Sequence, residues 1–280
     1  MNLFFDKASN NWVKDTDIKK ALDKLCIDDY QTIYIHSGLT FGLPNLELKR
    51  KKILDEITQI FMSYNFSCIC FPTFTFSFCN NEDYNISSSK TKMGALNEHF
   101  RNRPGVIRSE DPLLSHAVYG SNKIISNLGN QSIGDNSTFE HIYNEKNVAF
   151  LFFGANLPEC FTYMHYLEWI EKIDFRYNRK FKGNVLDNES TEKVEYELFV
   201  RYKNVKPSIN SGIFYEKTLK EKKLLKNMNL GQSNISVVDK DNATEVYLDL
   251  LKKDKYFFIE GNFDKSNRNK EFVGGSVVSL

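Results

Sequence analysis

The sequence has no cysteine pair spaced to grip a metal, no excess of charge of either sign and no apolar run long enough to cross a bilayer. Its five cysteines, Cys26, Cys68, Cys70, Cys79 and Cys160, are an odd number scattered without CxxC knuckles. They are expected to be reduced thiols, forming neither a disulfide framework nor a metal site. Cys68 and Cys70 alternate within an apolar run, where a free thiol behaves as a small buried hydrophobe. A formal charge of +1 leaves no global field to hold nucleic acid or an anionic membrane, although a local basic pocket is allowed. No stretch approaches the ~18–20 apolar residues of a membrane span. The opening residues reach Asp6 before any apolar run of signal length, so the expectation is a cytoplasmic protein. Internal repeats and linker-like tracts are also missing.

What is present is the material of a globular enzyme. At 280 residues, 41% hydrophobic and 14% aromatic, the chain can bury roughly 75% of its unfolded surface in one large core or two small ones. Thr16 can cap a short helix carrying Ile18, Ala21, Leu22 and Leu25, followed by a strand over residues 32–36. Ile53, Leu54, Ile57, Ile60 and Phe61 share one face of a helix over residues 46–63. Between strand and helix lies Ser37-Gly38-Leu39-Thr40-Phe41-Gly42, which is neither GxGxxG nor GxxxxGK. The order strand, small-residue loop, helix can present free N–H groups to a phosphate, and fits a plain connection equally well.

A buried strand over residues 66–71 ends in Pro72-Thr73-Phe74-Thr75, and residues 80–92 read as a polar loop without an element of its own, the longest candidate for disorder. A short helix over residues 93–101, a strand at residues 116–119, a helix capped by Ser137 or Asn136 and a buried strand over residues 148–153 complete the first half. Alternating strands and helices predict an α/β fold with a mixed central sheet flanked by helices, its sites at the strands' carboxyl ends. Beyond residue 173, period-two alternation over residues 194–202 predicts an antiparallel hairpin with residues 175–185, turning at 187–191. A charged helix running to Gly231, a strand at 235–238, a helix marked by Val246, Tyr247, Leu250 and Leu251, and a last strand at 256–259 follow. The whole is expected to be one domain, with residues 1–173 carrying coenzyme binding and catalysis and residues 174–280 an α+β part.

The chemistry centres on Thr162, His165 and Glu168, whose three-residue spacing lines one helical face. A carboxylate one turn from a histidine can fix its tautomer and stabilise the imidazolium, which makes His165 a candidate general base. The same spacing also suits an ordinary surface ion pair.

Ordered motifs resemble the antibiotic N-acetyltransferase family typified by the aminoglycoside 3-N-acetyltransferases. They are His36-Ser37-Gly38-Leu39; Pro72-Thr73-Phe74-Thr75; Met93-Gly94 with Glu98 and Arg101; Arg108-Ser109 with Pro112 and Ser115; Gly134 with Ser137; and Thr162, His165 and Glu168. The likeness spans roughly residues 30–183, with weaker likeness at Asp174-Phe175-Arg176-Tyr177. It implies an α/β fold distinct from GNAT and direct transfer from acetyl-CoA, without an acyl-enzyme or a metal. By that resemblance Ser37, Gly38 and Leu39 hold the pyrophosphate, Thr73, Thr75, Ser109 and Ser115 flank the pantetheine and thioester, Glu98 and Glu168 face the cationic amino sugar with Thr162 as a further acceptor contact, and Glu168 also orients the base His165.

Departures bear on the acceptor. Gly38 stands where a second serine is usual and Asp111 where a histidine is common. The Lys-rich C-terminal half lacks an acidic cleft, and the chain closes at Leu280, soon after Val273-Gly274-Gly275, without the family's usual final segment. These favour an amino sugar, nucleotide-linked and destined for a surface glycan, over an aminoglycoside drug. Two rivals are a cysteine route through Cys160 with His165, disfavoured because five helical residues turn the faces about 140° apart, and a non-catalytic coenzyme or sugar binder. The oligomeric state is left open.

Overall fold

The computed structural model describes residues 1–187, 190–261 and 263–272. In chain order its elements begin with β1 (Asn2–Asp6), β2 (Asn11–Lys14), α1 (Asp15–Lys24), β3 (Thr32–Ser37), β4 (Leu43–Pro44), α2 (Arg50–Met62), β5 (Cys68–Pro72), β6 (Tyr84–Asn85), α3 (Ala95–Arg101), β7 (Val106–Arg108) and β8 (His116–Gly120). They continue with α4 (Thr138–Asn144), β9 (Val148–Phe153), α5 (Leu157–Cys160), α6 (Met164–Ile170), β10 (Arg176–Leu186), β11 (Thr191–Arg201), α7 (Ile209–Glu221), β12 (Leu225–Leu230), β13 (Ser233–Asp239) and α8 (Lys240–Lys253).

Seven strands form the main sheet in the order β12-β13-β9-β3-β5-β8-β7. Its centre, β9-β3-β5, is parallel, and the outer pairs are antiparallel. Helices cover both faces, which is why the central strands are continuous apolar runs. Ile33, Ile35, Ile69, Phe71, Leu151 and Phe153 join one core with Ile18 of α1, Ile57 and Phe61 of α2 and Phe100 of α3. The alternate residues Tyr34, Cys70, Phe150 and Phe152 join a second core with Phe139 of α4, Leu167 of α6, Leu219 of α7 and Tyr247 of α8. A long β10-β11 hairpin pairs along its whole length and takes β6 as a parallel third strand.

Several expectations change. Helix α2 begins only at Arg50, so the loop after β3 does not lead directly into a helix N-terminus. Thr16 lies inside α1, where Asp17 instead accepts from the Lys14 N–H at 3.0 Å. The polar tract 80–92 contains β6 and is pinned: Arg108 donates to the Ser89 carbonyl at 2.6 Å and the Ile86 carbonyl at 3.2 Å. The helix expected to run to Gly231 stops at Glu221, because Lys223 adopts a left-handed φ of 58°, and Leu225–Leu230 form an edge strand instead. Residues 256–259 contribute only an isolated bridge from Ile259 to Pro207. The N-terminal hairpin β1-β2 was not among the expected elements. The expected 187–191 turn includes residues 188 and 189, which, like residues 273–275, lie outside the described residues. Among the described residues no helix is long and apolar enough to cross a membrane.

Candidate active site

The carboxyl ends of β3, β5 and β9 lie along one sheet edge. Beyond β9 the chain turns at Gly154 into α5, crosses Phe161–Tyr163 outside any helix, and enters α6. Thr162 therefore precedes the helix: its hydroxyl reaches the Cys160 carbonyl at 3.4 Å and caps nothing. His165 and Glu168 are both in α6, one turn apart, with His165 Nδ1 2.8 Å from Glu168 Oε2.

This pair is buried rather than a surface contact, Glu168 being 2% exposed and His165 5%. Arg176, the first residue of β10, completes it. Its Nε lies 2.8 Å from Glu168 Oε2, with the N–H not aimed at that oxygen, so the contact is a charge pair without a hydrogen bond. Its Nη2 approaches His165 Nδ1 at 2.7 Å. The second carboxylate oxygen, Oε1, accepts from the Tyr247 hydroxyl of α8 at 3.3 Å. Burial pushes the His165 imidazole down to about 4, with the Arg176 charge adding to it and Glu168 opposing. Burial also raises the Glu168 carboxyl, but Arg176 and the bonds from His165 and Tyr247 outweigh it and hold the group ionised. A neutral imidazole beside a charged carboxylate is the resting state a general base needs.

His165 opens onto a cavity of about 920 Å³, a size suited to small-molecule ligands. Leu157, Phe161 and Met164 line it together with Ile209, Ile213 and Tyr215 of α7, and Arg201, Lys206 and Lys203, the last ion-paired with Glu271 at 2.6 Å, contribute cations. Among the described residues His165 Nε2 makes no hydrogen bond, so the lone pair or proton there is available to a ligand. Cys160 also lines the cavity, but burial pushes its thiol well up and Sγ donates to the Asn156 carbonyl at 3.0 Å. That thiol is no ready nucleophile.

Of the residues singled out in the sequence, this cavity gathers His165, Glu168 and Thr162. The others are engaged elsewhere. Ser37 Oγ donates to Asn97 Oδ1 at 2.5 Å, Gly38 N–H to the Phe153 carbonyl at 2.8 Å, and Leu39 packs beside the core of the opposite sheet face. Thr73 and Ser115 exchange hydroxyl-to-carbonyl bonds at 3.1 and 2.7 Å, and Thr75 donates to the Pro112 carbonyl at 2.9 Å. Ser109 Oγ accepts from the His116 N–H at 2.9 Å. Glu98 is held by two bonds from Arg101, at 2.6 and 2.8 Å, and one from the Thr91 N–H. Asp111 accepts the Leu113 and Leu114 N–H groups and the Ser132 hydroxyl, so it serves the turn before β8. Arg176 and Tyr247 were missed as functional residues: the first showed only as part of a weak motif, and the second only as one position on an apolar helix face.

Comparison with known proteins agrees with this architecture. No curated protein matches the chain by sequence. Among solved structures it is similar to AAC-IIIb in a binary complex with CoASH (15% identity, 86% of this chain and 96% of that one, TM-score 0.69). It is also similar to AAC-VIa bound to sisomicin (14%, 86% and 97%, TM-score 0.71) and to the YokD protein of Bacillus subtilis (17%, 89% and 97%, TM-score 0.69). At such identities the likeness establishes the fold. A family model described as aminoglycoside 3-N-acetyltransferase matches residues 72–252, well over half of the chain, and the chain thus belongs to the aminoglycoside 3-N-acetyltransferase family, enzymes that carry an acetyl group from acetyl-CoA to an amine.

Proposed function

We propose that this protein acetylates an amino group of an aminoglycoside-type amino sugar, with His165 as the general base. The observation that carries the reading is the neutral His165 imidazole, backed by Glu168 and facing the cavity. An amine at neutral pH is mostly ammonium, and it cannot attack a thioester until a base takes its proton. With Nδ1–H donated to Glu168, the Nε2 lone pair can accept that proton, and the nearby carboxylate stabilises the imidazolium that results. Acetyl-CoA supplies the activated acetyl group. The apolar walls suit its pantetheine arm, and Arg201, Lys203 and Lys206 suit anionic groups. The sisomicin-bound relative supports an aminoglycoside acceptor.

A second reading, a nucleotide-linked amino sugar, draws on the charge of the lining. Arg176, Arg201, Lys203 and Lys206 are matched by Glu159, Glu168, Glu216 and Glu271. A lining without net charge offers a polycation little electrostatic attraction.

Thiol release from acetyl-CoA, followed over a panel of aminoglycosides and nucleotide-linked amino sugars, tests both. The expected result is turnover with an aminoglycoside, falling on the order of 10²–10⁴-fold in His165→Ala. Turnover only with nucleotide sugars would select the second reading. Coenzyme binding without turnover on any amine would make the protein a binder.

A further inference from the structure

The Nδ1 atom of His165 faces two partners and can serve only one at a time. As Nδ1–H it donates to Glu168 Oε2 at 2.8 Å and leaves a lone pair on Nε2. As a bare nitrogen it accepts from Arg176 Nη2 at 2.7 Å, and the proton then sits on Nε2. Only the first tautomer can take a proton from an incoming amine. What decides between them is where the Glu168 carboxylate points.

One oxygen of that carboxylate is shared between His165 and Arg176, and the other is held by Tyr247. The Tyr247 ring cannot drift: it stacks on Phe258 at 4.1 Å between ring centres, 8° from parallel, and meets Tyr215 edge-on at 5.4 Å. The helix behind it is tied down independently, because the Tyr163 hydroxyl meets Thr244 Oγ1 at 3.1 Å and the Tyr215 hydroxyl donates to the Ala243 carbonyl at 2.8 Å. Arg201 of β11 adds a further positive charge near His165.

We infer that Tyr247 is a positioning residue: by fixing Oε1 of Glu168 it keeps Oε2 on His165 Nδ1, and so holds the imidazole in the tautomer whose Nε2 is free to act. Without the hydroxyl the carboxylate turns toward Arg176, Nδ1 passes to the guanidinium, and Nε2 takes the proton. The inference rests on the proposed role of His165 as base, but its structural part can be read without substrate.

The experiment is ¹⁵N chemical-shift analysis of the His165 imidazole at pH 7 in the full-length protein, with the signal assigned by its loss in His165→Ala, alongside steady-state kinetics. Tyr247→Phe keeps the ring and its stacking. Thr244→Val loosens the same helix without touching Glu168. The wild type is expected to show the Nδ1–H tautomer, Tyr247→Phe to move His165 toward Nε2–H and lower kcat about tenfold with acceptor KM little changed, and Thr244→Val to match wild type in both. An unchanged tautomer in Tyr247→Phe would overturn the inference, as would the same tautomer change in Thr244→Val. If Tyr247→Phe moves the tautomer while His165→Ala retains full turnover, the positioning stands and the general-base reading falls.

Discussion

At Glu168 three side chains from three elements converge on one buried carboxylate: His165 from α6, Arg176 from β10 and Tyr247 from α8. Arg176 has opposing effects there. It supplies the countercharge that lets Glu168 stay ionised in the interior, and it repels a proton on His165. Arg176→Gln should therefore do two measurable things. Stability should fall by about 3–5 kcal/mol, since a buried carboxylate loses its partner. The His165 imidazole, freed from the guanidinium but still beside Glu168, should rise from about 4, moving the acid limb of the rate–pH profile upward; denaturant titration and rates measured between pH 4 and pH 7 check both. The His165–Glu168 half of this constellation was legible because both residues occupy one helix, where spacing sets geometry. Arg176 and Tyr247 were not, since they arrive from a strand and a helix whose positions depend on packing.

Elements bring the same lesson for backbone. Gly38 lies at the end of β3 with its α-carbon against the neighbouring strand's exit, so an added Cβ would stand 2.3 Å from the Gly154 carbonyl oxygen. This gives a physical reason for glycine at this position. Gly38→Ser should push β3 and β9 apart next to the entry to α5, costing roughly 1–3 kcal/mol in stability by overpacking. Thermal unfolding reads this as a lowered Tm, and an unchanged Tm would mean that the two strand ends are free to separate. The tract 80–92 makes the converse point. Its composition is that of a loop, but Arg108 and Arg101 donate to its Ile86, Ser87 and Ser89 carbonyls. Local sequence held no sign of those long-range bonds. β12 escaped for a related reason: its apolar residues continue the pattern of α7, and only pairing with β13 makes them a strand.

Across the whole molecule, three histidines are buried and neutral. Burial pushes His36 and His116 down to about 3, and His165 to about 4. In the unfolded chain each would titrate near ~6.5. Below that pH the unfolded state binds more protons than the folded one, so stability falls as pH drops from about 6.5 toward the folded values, by up to roughly 1.4 kcal/mol per pH unit for each group. Unfolding midpoints at pH 7, 6 and 5 should decline steadily, and calorimetry in buffers of different ionisation enthalpy should detect proton uptake on unfolding. A midpoint constant over that range would mean that these histidines are not neutral in the fold.

The sequence by itself determined what is local. Strand alternation, helix faces and the one-turn spacing of His165 and Glu168 all follow from backbone periods of two and 3.6 residues, and the ordered motifs carry the family resemblance. Those periods say which side chains share a face. They do not say what the face meets. Only the tertiary structure decided that Thr73, Thr75, Ser109 and Ser115 turn their hydroxyls inward onto backbone partners, and that Arg176 and Tyr247 close around Glu168. A buried polar group must be satisfied by whichever partner packing brings within reach, and the partners of Thr73, Thr75 and Glu168 include Ser115, Pro112 and Tyr247, which lie far away in the chain.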